Sequence, residues 1–270
     1  MNIIKDLFIF IRHAFSSREL LLTLIKNDFR KQYLGSYFGI FWAFFQPLAF
    51  MLIIWFVFEK GFQVGKANNG APYFLWLACG MIPWLFISNA LISGTGAIVN
   101  NAFMVRKVAF RVSILPLVEI GSALIVHLVL LAFLMSVSVY YGYKPTLYWL
   151  QLPFYLACSI ALLLGLTWLT SAISVFIKDV SSFIMVFTQL GFWATPIFWS
   201  LEVLPERVQK IFQVNPVYYI VNGYRDAFVT NVWFWERQDL TLHYVGLMLV
   251  CMATGALVFK RLRPHFGDVL

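Results

Sequence analysis

The chain has 270 residues, of which 61% are hydrophobic and only 12% charged, with a formal net charge of +8. Soluble domains carry about 25% charged residues, so the composition excludes a water-surrounded globule and leaves an all-α integral membrane protein as the expected fold class. In a soluble protein the positive balance would suggest nucleic acid. Here the cations fall in short joints between long apolar runs, where anionic lipid headgroups meet them.

Residues 1–36 are expected to form cytoplasmic amphipathic interface or gate helices. Ile3, Ile4, Leu7, Phe8, Ile11 and Phe15 recur at helical spacing, with Lys5, Asp6, Arg12 and His13 on the other side. This pattern predicts a helix lying on the membrane surface rather than a cleavable signal. Ser16 and Glu19 fit a capping box for a second helix, whose apolar stripe is Leu21, Leu24 and Ile25.

Residues 37–270 read as one membrane domain with six transmembrane helices. The uncharged runs place them at about Tyr37–Phe58, Pro72–Ser93, Ile114–Tyr141, Tyr148–Phe176, Ser181–Trp199 and Leu242–Phe259, each near the ~20 apolar residues that cross a bilayer. Spans four and five are joined only by Lys178–Asp179, which makes them a tight antiparallel pair with Asp179 as a plausible N-cap. Joints on one side carry 13 Lys/Arg and those on the other 7. The positive-inside rule therefore puts both termini in the cytoplasm. Ser200–Asp239, on the outer side, is rich in aromatic and apolar residues, but its apolar stretches are too short to cross. Short interfacial helices or a re-entrant pair before the last span are expected there.

Several chemistries are absent from the pattern. No G-x-x-x-x-G-K-[ST] loop occurs, so ATP is not expected to bind this chain in that way. No H-E-x-x-H or Cys/His cluster suggests a metal. Cys79, Cys158 and Cys251 lie inside predicted spans as small apolar packing residues. The run Ser93–Gly94–Thr95–Gly96 suits close helix packing better than a catalytic serine.

Asn100–Arg111 joins spans two and three on the cytoplasmic side. It either forms a short helix presenting Phe103, Met104 and Phe110 to a soluble partner's groove, or an interfacial loop that snorkels Arg106, Lys107 and Arg111 into headgroups. Glu119 is the one acid well inside a span, with His127 on the same helix face. Its position favours a structural ion pair with Arg106, Lys107 or Arg111 over a proton relay. Aromatic residues make up 19% of the chain. Tyr37, Phe41 and Phe44 share a face of span one, and Phe183 and Phe187 one of span five, with Trp193, Phe198 and Trp199 higher up. Ring faces can receive the C–H face of a sugar without holding it, so such rows suit a sliding glycan as well as ordinary packing.

Taken in order, Arg30–Lys31, Gly35, Trp42, Pro47, Gly80, Ile82–Pro83–Trp84, Asn101, Val105–Arg106–Lys107, Leu115–Pro116, Lys178–Asp179, Thr195–Pro196–Ile197, Asn215–Pro216 and Arg225 resemble the membrane subunit of ABC-2 type polysaccharide exporters, which move O-antigens, capsules and teichoic acids. Lys178 stands where that family commonly has arginine. The resemblance implies a homodimeric permease in the cytoplasmic membrane with two copies of a separate ATPase that binds ATP and Mg, no cofactor on this chain, and a lipid-linked glycan as substrate. It makes Phe103, Met104, Arg106, Lys107, Phe110 and Arg111 the coupling segment. Tyr37, Phe41, Phe44, Phe183, Phe187 and Trp193 become channel residues. Phe198, Trp199, Tyr218, Tyr219 and Arg225 become a periplasmic gate. An ABC-2 permease for a small lipid or drug would share the topology but tolerate loss of the mid-span rings, and a membrane enzyme would need a polar constellation that is not seen.

Overall fold

The computed structural model describes residues 18–33, 37–63, 70–105 and 111–270. The amphipathic repeat between Ile3 and Phe15 and the capping serine Ser16 lie outside the described residues. Helix α1 is Arg18–Tyr33, α2 is Phe41–Phe56 and α3 is Tyr73–Gly96. These are followed by α4 (Leu115–Tyr140), α5 (Leu152–Ser174) and α6 (Asp179–Ala194). The segment after α6 contains α7 (Glu206–Gln213) and α8 (Pro216–Arg225), and α9 is Gln238–Leu262. No strand occurs among the described residues.

Five helices among the described residues are long and apolar enough to cross a membrane, namely Phe41–Gly61, Tyr73–Gly96, Val112–Tyr140, Leu147–Ser174 and Gln238–Val269. The chain is a multi-pass membrane protein. The stretch expected as a fifth span, Ser181–Trp199, forms a helix of only 16 residues, Asp179–Ala194. At ~1.5 Å per residue that is about 24 Å, short of the ~30 Å hydrocarbon core. The helix stops because Pro196 disfavours helical backbone in the residue before it, and Thr195 is extended at φ −90°, ψ 135°. Asp179 is the first helical residue rather than the cap, which is Lys178. An acid there still complements the helix dipole.

Helix α3 is the centre of the bundle. It packs against α2, α4, α5, α6 and α8. Leu75, Leu77, Met81, Ile82 and Ala90, which point in different directions around it, are all fully buried. Small and hydroxylated residues let neighbours approach closely, as association within lipid requires. A side chain at Gly94 would collide with Thr167, the hydroxyls of Thr95 and Thr170 lie 2.8 Å apart, and the Ser174 hydroxyl donates to the Thr95 carbonyl at 2.8 Å. Helices α5 and α9 touch backbone to backbone where Gly255 faces Gly165. The Tyr244 hydroxyl donates to the Cys158 carbonyl at 2.8 Å across the same seam.

Helix α1 docks on α4, with Ile25 seated where a Gly121 side chain would stand and Phe29 buried one turn on. Burial at this contact pushes the Asp28 carboxyl above its usual range, outweighing the opposing pull of Ser122, Lys31 and Gln32. By contrast α6 keeps most of its apolar side chains exposed, and α2 keeps about half of its own so.

Two outcomes follow for stability in detergent. Gly255→Val drives a branched side chain into the α5 backbone and should cost at least about 3 kcal/mol, the upper part of the overpacking range, read as a lower thermal midpoint or lost monodisperse yield. A buried acid with a raised pKa costs stability as pH rises past its unfolded value. Asp28→Asn should therefore raise the midpoint near neutral pH and leave it unchanged in acid; an equal effect at both would assign the change to packing instead.

Candidate functional site

The connection between α6 and α9 is a polar knot set inside aromatic packing. Asn215 caps α8, accepting from the Val217 backbone N–H at 3.0 Å, and its amide donates to Thr195 Oγ1 at 2.9 Å. One residue thus starts α8 and ties it to the end of α6. Helix α8 is sunk against α3, α5 and α9, with Tyr218, Tyr219, Tyr224 and Arg225 buried. A side chain at Gly223 would overlap the Tyr155 ring.

Arg225 and Asp226 divide the electrostatics between them. The Arg225 guanidinium carbon lies 3.5 Å from the centre of the Trp76 ring, and Nη2 donates to the Ile197 carbonyl at 2.8 Å. Its charge is met by a π face and a carbonyl rather than by an acid. Asp226 is instead claimed by Arg237, through Nε at 2.6 Å and Nη2 at 2.9 Å, and by the Thr230 hydroxyl at 2.6 Å. The chain reverses at Asn231, which takes the left-handed conformation at φ 54° that asparagine tolerates better than most residues. Gln151 at the start of the α5 segment then holds the return, donating to Val232 O at 2.9 Å and accepting from Phe234 N at 3.1 Å.

The residues expected at a periplasmic gate, Phe198, Trp199, Tyr218, Tyr219 and Arg225, all belong to this region. Phe198 is buried among Phe58, Phe192 and Trp193, and its carbonyl accepts from the Tyr73 hydroxyl at 2.7 Å. Trp199 packs edge-on against Phe212 and donates to the Trp193 carbonyl at 3.2 Å. Tyr219 stacks on Tyr244 with ring centres 4.7 Å apart.

Of the expected channel residues, Phe41, Phe183, Phe187 and Trp193 are exposed, and Tyr37 stands almost fully clear in the turn before α2. Phe183 and Phe187 are near-parallel at 6.1 Å. Phe44 turns toward the core. The ring that stacks on Phe41 is Phe45, at 5.0 Å and 23°, and Trp42 packs edge-on against both Phe41 and Phe45. The four-residue step from Phe41 to Phe45 was the available signal for this pair.

In the joint between α3 and α4, Phe103 is exposed and Met104 partly buried against the core. Arg111 is exposed and precedes the turn Val112–Ile114. Arg106, Lys107 and Phe110 lie outside the described residues, so two of the three partners considered for Glu119 do too. Among the described residues Glu119 forms no ion pair with Arg111. It is buried beside Ser93 of α3, facing Asp28 and Lys31 of α1. No group of His, Cys, Asp and Glu among the described residues is placed to hold a metal ion.

The chain matches the ABC-2 type transporter family over residues 19–229 and belongs to it. It is therefore a transport subunit that works with an ABC ATPase. Among curated relatives, it is 25% identical over 253 residues to an O-antigen export system permease protein RfbA of Klebsiella pneumoniae, spanning 93% of this chain and 95% of the relative. It is 24% identical over 260 residues to an O-antigen export system permease protein RfbA of Myxococcus xanthus, spanning 96% and 98%.

Removing one partner of a buried ion pair strands the other, at about 3–5 kcal/mol. Since Arg237 is partly exposed, Arg237→Ala should fall at the lower end, near 3 kcal/mol. Asp226→Asn combined with Arg237→Ala should recover part of that loss. Thermal unfolding of the four proteins of this cycle measures the coupling, and additive losses would show that the pair contributes nothing.

Proposed function

We propose that this chain is the permease subunit of an ATP-driven exporter that moves a lipid-linked, O-antigen-like polysaccharide across the cytoplasmic membrane. The observation that carries the reading is similarity over nearly the whole length, 93% and 96% of the chain, to O-antigen export permeases. The aromatic faces left open on α2 and α6 support it. Stacked, exposed rings such as Phe41–Phe45 and Phe183–Phe187 give a sugar C–H face a surface to slide along.

In this reading the chain crosses six times with both termini in the cytoplasm. Helix α6 makes one crossing, completed by the irregular Thr195–Ser200 segment. Irregular backbone at such depth must be shielded by protein, and the contacts of Arg225 with Ile197 and of Asn215 with Thr195 supply that shielding. Residues 1–36 act as interface and gate helices ahead of the membrane domain at 37–270. The permease is a homodimer whose α2 and α6 faces line the path and lateral gate. Two ATPase copies bind ATP and Mg, while this chain binds no cofactor. Residues 100–111 are the coupling segment, and the α7–α8 hairpin is the outer gate.

The test is export of surface polysaccharide in a strain carrying only variant permease and its ATPase. Phe183→Ala with Phe187→Ala should lower export severalfold at unchanged protein level. Full activity of that variant would favour a small lipid or drug as substrate. Phe103→Asp should reduce export about tenfold, within the usual span of coupling energies, while the permease still inserts. Normal export by that variant would displace the coupling segment from this joint.

A further inference from the structure

A cavity among the described residues lies beside the exposed rings of α2, with its Trp42 packed edge-on against Phe41 and Phe45. It has a volume of about 410 Å³ and lies between α1, α2, α3 and α4, within the ~300–1,000 Å³ typical of small-ligand sites. Its lining mixes apolar walls with neutral polar groups, namely Gln32, Gln46, Asn89, Ser93 and His127, and Trp42 stands at its edge. No Asp, Glu, Lys or Arg is among its described lining residues.

These polar groups are underused. Gln46 and Asn89 sit inside helices that cross the membrane, are exposed toward this space, and their side-chain amides have no hydrogen-bond partner among the described residues. His127 is 1% exposed. Its Nε2 is 2.9 Å from the Tyr224 hydroxyl, and its ring also meets the Ile82 backbone, so the groups left unmet are the two amides. Gln32 spends its amide on Asp28 at 2.9 Å, leaving its carbonyl to accept. In hydrocarbon an unmet polar group costs free energy that water would otherwise relieve. Two such groups on one cavity point to a ligand that meets them.

The chemistry narrows the ligand. No cation lines the cavity to meet a phosphate, and the charges directly behind its polar lining, Asp28 at Gln32 and Glu119 at Ser93, are acids. An acyl chain would fill the volume and leave every amide unmet. A glycosyl ring brings hydroxyls that both donate and accept, as the two amides require, and an apolar C–H face for the half-exposed Trp42 ring. We propose that the α1–α4 cavity is a binding site for an uncharged glycosyl group, carried on a membrane amphiphile or free in water. The inference deepens the exporter reading and rests on it for physiological meaning, but binding is measured apart from export.

The experiment follows thermal unfolding of the full chain in lipid nanodiscs with three probes: octyl β-D-glucoside below its micellar concentration, octylphosphocholine at the same concentration, and glucose. The glucoside should raise the midpoint by roughly 3 °C near saturation, and the phosphocholine should not. A response to glucose as well would identify a water-borne source, and a response to the glucoside alone a membrane-borne one; both support the site. Asn89→Leu and Gln46→Leu should each keep the fold, since neither amide bonds to the protein, and each should lose the glucoside response. Equal responses to glucoside and phosphocholine, an undiminished response in both variants, or no response by the parent protein would overturn the assignment. Export is scored in parallel. A glucoside response in a protein that exports no glycan sinks the exporter reading alone, and export without the response sinks the site alone.

Discussion

Everything in this bundle leans on the close packing of α3. A helix apolar on every side cannot be held by the hydrophobic effect inside lipid, because lipid tails are as apolar as its neighbours. What holds it is near approach and buried polar contact. Gly94 lies against Thr167, the Thr95 and Thr170 hydroxyls meet, Ser174 reaches the Thr95 carbonyl, and Trp76 receives the Arg225 guanidinium. Once α3 is fixed, α4 and α5 have places on its flanks and α8 has a wall to sink against. Helices α2 and α6 touch it along one stripe each and keep their other faces open.

That division explains what was legible in the sequence. The five long crossings were readable because each needs only an uninterrupted apolar run, and the short Lys178–Asp179 joint is visible by eye. The small-residue run at Ser93–Gly96 announced close packing, and the structure uses it so. The end of α6 was set too far along, although Pro196 carried the signal that the helix stops before it. Phe44 was placed with the open rings because its spacing from Phe41 fits a helix face, but the neighbours that bury it come from elsewhere in the chain. Partnerships such as Arg225 with Trp76, or Glu119 with the α1 face, join residues far apart in sequence, and no local pattern announces them. The approach of Gln46, Asn89 and His127 to one cavity was hidden for the same reason.

Membership of the ABC-2 transporter family gives these features a common setting. A permease must keep a rigid part that transmits force and a looser part that changes shape. The α3–α4–α5 core, with α9 locked on α5 at Gly165 and Gly255, has the character of the first. Helices α2 and α6, rich in exposed aromatic rings and lightly anchored, have the character of the second. The α7–α8 hairpin lies between them, tied to α6 through Thr195 and Ile197 and to α3 through Trp76, so any movement of α6 is felt at α8.

The pairing of Asp226 with Arg237 has a consequence for how the protein is made. Both partners lie on one stretch of chain, separated by 11 positions, with Thr230 completing the acid's shell from within the same stretch. The charge of Asp226 can be cancelled without waiting for a distant helix. The stretch emerges before α9 during synthesis, so this pair can form before the last helix inserts. The last helix then closes over a wedge already prepared for burial, and the cost of carrying a carboxylate into that seam is met before insertion ends.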